Sequence, residues 1–142
     1  MYNVNVARIE ETLKYLEKLL QDMAPIVEKL EGVPEDRVLL LALERMVHIS
    51  LECLADVGNH MIDGFIMRDP GSYEDIVEIL RDEKVIPDEI SAPLKNLVNY
   101  RRNLITTYTD IQEEDIYQLS KNSLFALKQF PGYVRNYLEK EL

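Results

Sequence analysis

Tyr100-Arg101-Arg102-Asn103-Leu104-Ile105-Thr106-Thr107-Tyr108 places a cation on what the spacing predicts to be an apolar helix seam. Reading outward, Ile90, Leu94, Leu97, Arg101, Leu104, Tyr108 and Ile111 recur at alternating intervals of four and three. That periodicity is one face of a helix packed against a partner helix. Arginine is the exception among these apolar and aromatic positions. A guanidinium keeps its proton, so burying one calls for a carboxylate, carbonyl groups or a bound anion.

The remaining chain reads as helix in the same way. Tyr2, Val6, Ile9, Leu13, Leu16, Leu20, Met23, Val27 and Leu30 form a first seam, with a bend expected at Pro25. Glu31-Gly32-Val33-Pro34 ends it, and a second helix is expected from about Pro34 to about Met67. Its apolar positions, Leu39, Leu43, Met46, Val47, Leu51, Leu54, Val57, Met61, Ile62 and Phe65, are too widely spread for one stripe. That width marks a central helix. Ser72 with Asp75 forms a capping-box pattern that opens a short helix through Leu80. Pro93 suits a fourth helix that begins near Ser91, with Ser91 as its cap. Thr106 and Thr107 should fray that helix. Glu113, Glu114 and Asp115 suit the start of a last helix reaching about Glu139, with a bend expected at Pro131-Gly132. The expected fold is all-α: an antiparallel bundle of four long helices and one short one, as a single domain over residues 1–142.

Composition narrows the function. The chain has 142 residues, 46% hydrophobic and 30% charged, which is a globular balance. A formal net charge of -10 argues against DNA binding or any broad nucleic-acid footprint, but leaves room for one small basic spot at Arg101 and Arg102. The lone Cys53 fits a reduced, cytoplasmic compartment and a core position. No apolar run approaches the roughly 20 residues of a membrane span, and no signal peptide is apparent at the N-terminus.

Glu44, His48, Glu52, Asp56 and His60 lie four apart and make a polar ribbon along the second helix. It reads first as a solvated or partly buried edge. Glu52 or Asp56 is also the candidate charge partner of Arg101. Metal ligation is a weak reading, because Glu44 and His48 are four apart and the pair is unrepeated, unlike the Glu-x-x-His pairs of di-iron bundles. Neither a cofactor nor a metal is expected. His48 and His60 read as structural or solvated imidazoles, and Tyr133 and Tyr137 as core or rim. No phosphate-binding glycine loop, nucleophile elbow or paired-cysteine motif occurs.

The stretch from Arg101 to Tyr108 resembles the signature of HepT-like proteins, toxins within the HEPN helical superfamily. Their pattern is arginine, a polar residue, three further residues, histidine, one residue, then tyrosine. Arg101 and Tyr108 match its ends, Arg102 takes the polar position, and Thr106 stands where the histidine is expected. The long first helix, Asp56-Val57-Gly58-Asn59-His60, Ser72-Tyr73-Glu74-Asp75, Ile86-Pro87 and the acidic turn before the last helix extend the resemblance over nearly the whole chain. It implies a homodimeric bundle that cleaves RNA without metal, the arginine holding phosphate and the histidine moving a proton as the 2′-hydroxyl attacks. It also implies a minimal nucleotidyltransferase antitoxin that adds AMP to the motif tyrosine, here Tyr108. Positions 101 and 106 are about 140° apart on an ideal helix, which favours a site completed by the second subunit. Threonine does not titrate near neutrality as imidazole does. The expectation is therefore a HepT-like dimer with impaired ribonuclease activity, acting as a binding or regulatory module. The alternative is an active RNA endonuclease toxin with an altered acid-base group, and a third reading has Arg101 closing a purely structural ion pair.

Overall fold

A computed structural model describes residues 2–142 and contains helices and connecting turns, with no strand among those residues. The helices are α1 (Val6–Lys29), α2 (Arg37–Gly64), α3 (Tyr73–Asp82), α4 (Asp88–Asn99), α5 (Arg101–Thr106) and α6 (Glu113–Glu141), with a 3₁₀ turn at Tyr108–Asp110. The all-α bundle is thus the expected one. Its fourth expected helix, however, is divided at Tyr100, which separates α4 from α5.

Contacts between helices fix their directions. Val4, just before α1, lies against Gly64 at the end of α2, where a Cβ would come within 2.9 Å of it. Further along, the Ser50 hydroxyl is 4.0 Å from Met23 Sδ. The two helices therefore run antiparallel. Arg135 of α6 bridges Glu10 and Glu17 in the first half of α1, and Lys128 reaches Glu28 near its end, so α6 is antiparallel to α1 as well. α2 touches all five other helices, as its wide apolar face predicted. Its Leu43, Val47, Leu51, Leu54, Val57 and Met61 are buried. Gly58 lets α3 approach: a Cβ there would fall 2.4 Å from Ile76 Cγ2.

Caps explain where the helices start. The Asn5 side chain accepts from Arg8 N, so α1 begins at Val6 and not at Tyr2. Asp36 accepts from Val38 N and Leu39 N, which moves the start of α2 from Pro34 to Arg37. Ser72 caps α3 as expected, through Asp75 N at 3.0 Å. The expected role of Ser91 is corrected: it lies inside α4, and its hydroxyl donates to Asp88 O. Pro87 holds the cap position, and Pro93 sits within the helix, so the Glu89 carbonyl loses its usual amide donor. α1 and α6 likewise remain helical through Pro25 and Pro131.

Candidate functional site

Arg101 opens α5. Leu94, Leu97 and Leu104 are buried along the predicted seam, but the arginine side chain keeps 34% of its exposure and Tyr108 keeps 67%. The seam therefore leaves the core at its C-terminal end. Arg101 Nε donates to Glu52 Oε1 at 2.5 Å, and its guanidinium lies over the Tyr73 ring, 4.3 Å from the centroid. Glu52 is the carboxylate that the charge required. Asp56, the other candidate, is exposed and does not pair with Arg101. Among the described residues the two Nη groups form no further ion pair or hydrogen bond. A guanidinium gripped by Nε on one edge and by an aromatic face presents its Nη edge as a ready fork for an oxyanion.

α3 supplies the aromatic brace. The Ser72 cap starts that helix, and Tyr73 is its first residue. Burial raises the Tyr73 phenol above its usual pKa and Glu52 adds to the effect, while Arg101 opposes it. The ring therefore stays neutral near pH 7, which suits contact with a cation.

Arg101, Arg102 and Thr106 border one hollow of about 480 Å³, together with Tyr73, Asn99 and Ile105. The predicted divergence of positions 101 and 106 does not separate them, because the hollow is broad enough to be flanked by both. Tyr108 is elsewhere. It borders a smaller hollow of about 180 Å³ with Arg37, Leu41 and Glu44. The cause is local: Thr107 leaves helical geometry at φ -117°, ψ 39°, and the chain then tightens into the 3₁₀ turn. Thr106 Oγ1 donates to Arg102 O at 2.6 Å, a back-bond to its own helix.

His48 Nε2 lies 3.8 Å from Glu52 Oε1, the same oxygen that receives Arg101. An imidazole thus stands one carboxylate away from the guanidinium, on α2. His60 lies three turns further along α2 and borders another hollow with Asp63 and Ile66. Cys53 is buried, and burial, with Asp56 and Glu52, pushes its thiol up to about 11, so it is not a nucleophile. Among the described residues no group of three or more His, Cys, Asp or Glu side chains could hold a metal. Tyr133 and Tyr137 are half-buried, and Tyr137 stacks edgewise on Phe65. The sequence reading named Tyr73 and Glu74 only within the family resemblance and Ile105 only within the opening stretch, and assigned neither these nor Asn99 to the hollow they border. An aromatic directly after a capping serine and an isoleucine beside paired arginines were the available signals.

The described residues form a bundle of six α-helices with an arginine held at the start of a short, threonine-ended helix. The model of the family described as Ribonuclease HepT-like matches residues 9–134, and the chain belongs to that family. It is 43% identical over 142 residues to a Bacillus subtilis (strain 168) protein described as "Putative RNase YutE", covering 100% of this chain and 95% of that one. The solved structure of YutE from Bacillus subtilis, described as a cytosolic protein of unknown function, superposes with a TM-score of 0.88 at 42% identity, over 100% of this chain and 96% of the other. A tri-AMPylated HEPN toxin from Shewanella oneidensis, solved in complex with its MNT antitoxin, shares the fold at a TM-score of 0.77 and 16% identity, over 90% of this chain and 96% of the toxin. No helix among the described residues is long and apolar enough to cross a membrane.

Proposed function

We propose that this protein is a cytoplasmic, homodimeric HepT-like module that binds RNA through Arg101 and Arg102 and in which ribonuclease activity is impaired. The observation that carries the reading is the braced guanidinium: Nε on Glu52, face on Tyr73, and the Nη edge turned to neither. Thr106 supports the impairment, because its hydroxyl is bonded to the Arg102 carbonyl and has no group that titrates near neutrality. Loss of a proton-transfer group typically removes about 10²–10⁴ of rate. The partner in this reading is a minimal nucleotidyltransferase antitoxin, and the exposed Tyr108 phenol is the position it would modify with AMP.

The test uses purified protein at micromolar concentration with tRNA and mRNA. Both RNAs should survive for hours, while single-stranded RNA binds with a salt dependence that Arg101→Ala and Arg102→Ala each reduce. Cleavage that Arg101→Ala abolishes would sink the reading. One observation favours the active alternative, a toxin that cuts RNA: His48 sits beside Glu52 and could move the proton that Thr106 cannot. In that case His48→Ala abolishes cleavage, RNA binding persists, and growth arrest on expression is relieved by a nucleotidyltransferase from an adjacent reading frame.

A further inference from the structure

We infer that the hollow beside Arg101 is a nucleotide seat selective for guanine, with Glu74 reading the base. The inference rests on the phosphate-binding reading above and adds the identity of the base. A hollow of about 480 Å³ falls within the range of about 300–1,000 Å³ usual for small-molecule sites. Its walls divide by chemistry. Arg101 and Arg102 supply positive charge on one side, while Val98, buried, and Ile105, 42% exposed, supply an apolar surface. The Ile105 side chain beside two arginines offers an apolar surface that suits the flat face of a base whose phosphate the arginines hold.

The polar groups left over are Glu74 and Asn99. Both are exposed, and among the described residues Glu74 forms no ion pair, although it shares the hollow with two arginines. A carboxylate is an acceptor only. Guanine is the one common base whose Watson–Crick edge offers two adjacent donors, N1–H and the N2 amino group, and so can meet both carboxylate oxygens. Adenine, uracil and cytosine each offer a single donor there. The Asn99 carboxamide, which has no side-chain hydrogen bond among the described residues, can donate to the guanine O6. The ligand class is therefore a guanine nucleotide within single-stranded RNA.

The experiment is fluorescence anisotropy of the full-length protein with end-labelled hexanucleotides: six uridines, or the same strand with one guanosine or one adenosine at the third position. The guanosine strand should bind about tenfold more tightly than the other two, as expected for one good bidentate base contact. Glu74→Gln should bring the guanosine strand down to the affinity of the others. Arg102→Ala should weaken all three and flatten their salt dependence. Equal affinity for the guanosine and adenosine strands in the wild type overturns guanine selection and leaves the arginine reading intact. A guanosine advantage that survives Glu74→Gln overturns the role of Glu74. Failure of all three strands to bind removes the phosphate-binding reading and the base assignment together.

Discussion

Ile66 has φ 56°, a left-handed conformation that a β-branched side chain rarely adopts, and it is 76% exposed. It follows the end of α2, where glycine is the usual residue. Its methyl groups gain little from burial, so the conformational penalty of about 1–2 kcal/mol is nearly uncompensated. Ile66→Gly should therefore raise stability by roughly 1 kcal/mol, after allowance for the greater freedom of glycine in the unfolded chain. An unchanged or lower urea midpoint would show that the neighbours hold the turn for another reason. Arg101 is the contrasting case. Its need for a carboxylate was readable from its position among leucines, and Glu52 was one of two candidates four residues apart. The choice between them, and the Tyr73 ring on the guanidinium face, depends on how α3 is seated, which no spacing along one helix contains.

At the scale of one helix, α3 is held at its start by more than its serine cap. Arg68 makes paired hydrogen bonds of 2.7 Å to both Asp75 carboxylate oxygens, and Gly71 N adds a third at 2.9 Å. These contacts, first Arg68 and then Gly71, lower the Asp75 pKa from 3.8 to about 2. The folded-state value lies below the unfolded one, so the stabilisation is complete above the ordinary carboxylate range and is lost as pH falls toward 2. Protection factors of the α3 amides, exchange rates taken relative to the intrinsic rate at each pH, should fall between about pH 4 and pH 2 in the wild type, and Asp75→Asn should show low protection on both sides of that window. Equal pH dependence in the two proteins would refute the link. The Ser72 and Asp75 pair was legible because capping is a local pattern. The break at Tyr100 was not, because Tyr100 is a reasonable helix residue and its hydroxyl reaches Asp115, on another helix, at 3.0 Å. Ser91 misled for the reverse reason: a proline two residues later made a start there look necessary, and the chain instead tolerates Pro93 inside α4.

Across the molecule, α1 and α6 are pinned by one arginine. Arg135 meets Glu17 and Glu10 at 2.6–2.8 Å, and these pairings raise its pKa while lowering that of Glu17. The cluster is about one-third exposed, so solvent screening keeps its net worth small. Arg135→Ala should cost roughly 1 kcal/mol, read as a lower urea midpoint with an unchanged slope, and the loss should shrink in high salt. A salt-independent loss would assign the effect to packing of the arginine stem. The bundle itself was readable from the sequence, since long periodic seams determine which faces are buried. The arrangement of the site was not. Arg101 and Tyr108 are seven residues apart, and a single bend at Thr107 sends them to hollows that share no lining residue.

That separation gives one polypeptide two independently addressable ends of a single motif. On the function proposed above, an AMP group on the Tyr108 phenol and a phosphate at the Arg101 fork would sit in different hollows of one subunit, so either could be altered by substitution without touching the lining of the other.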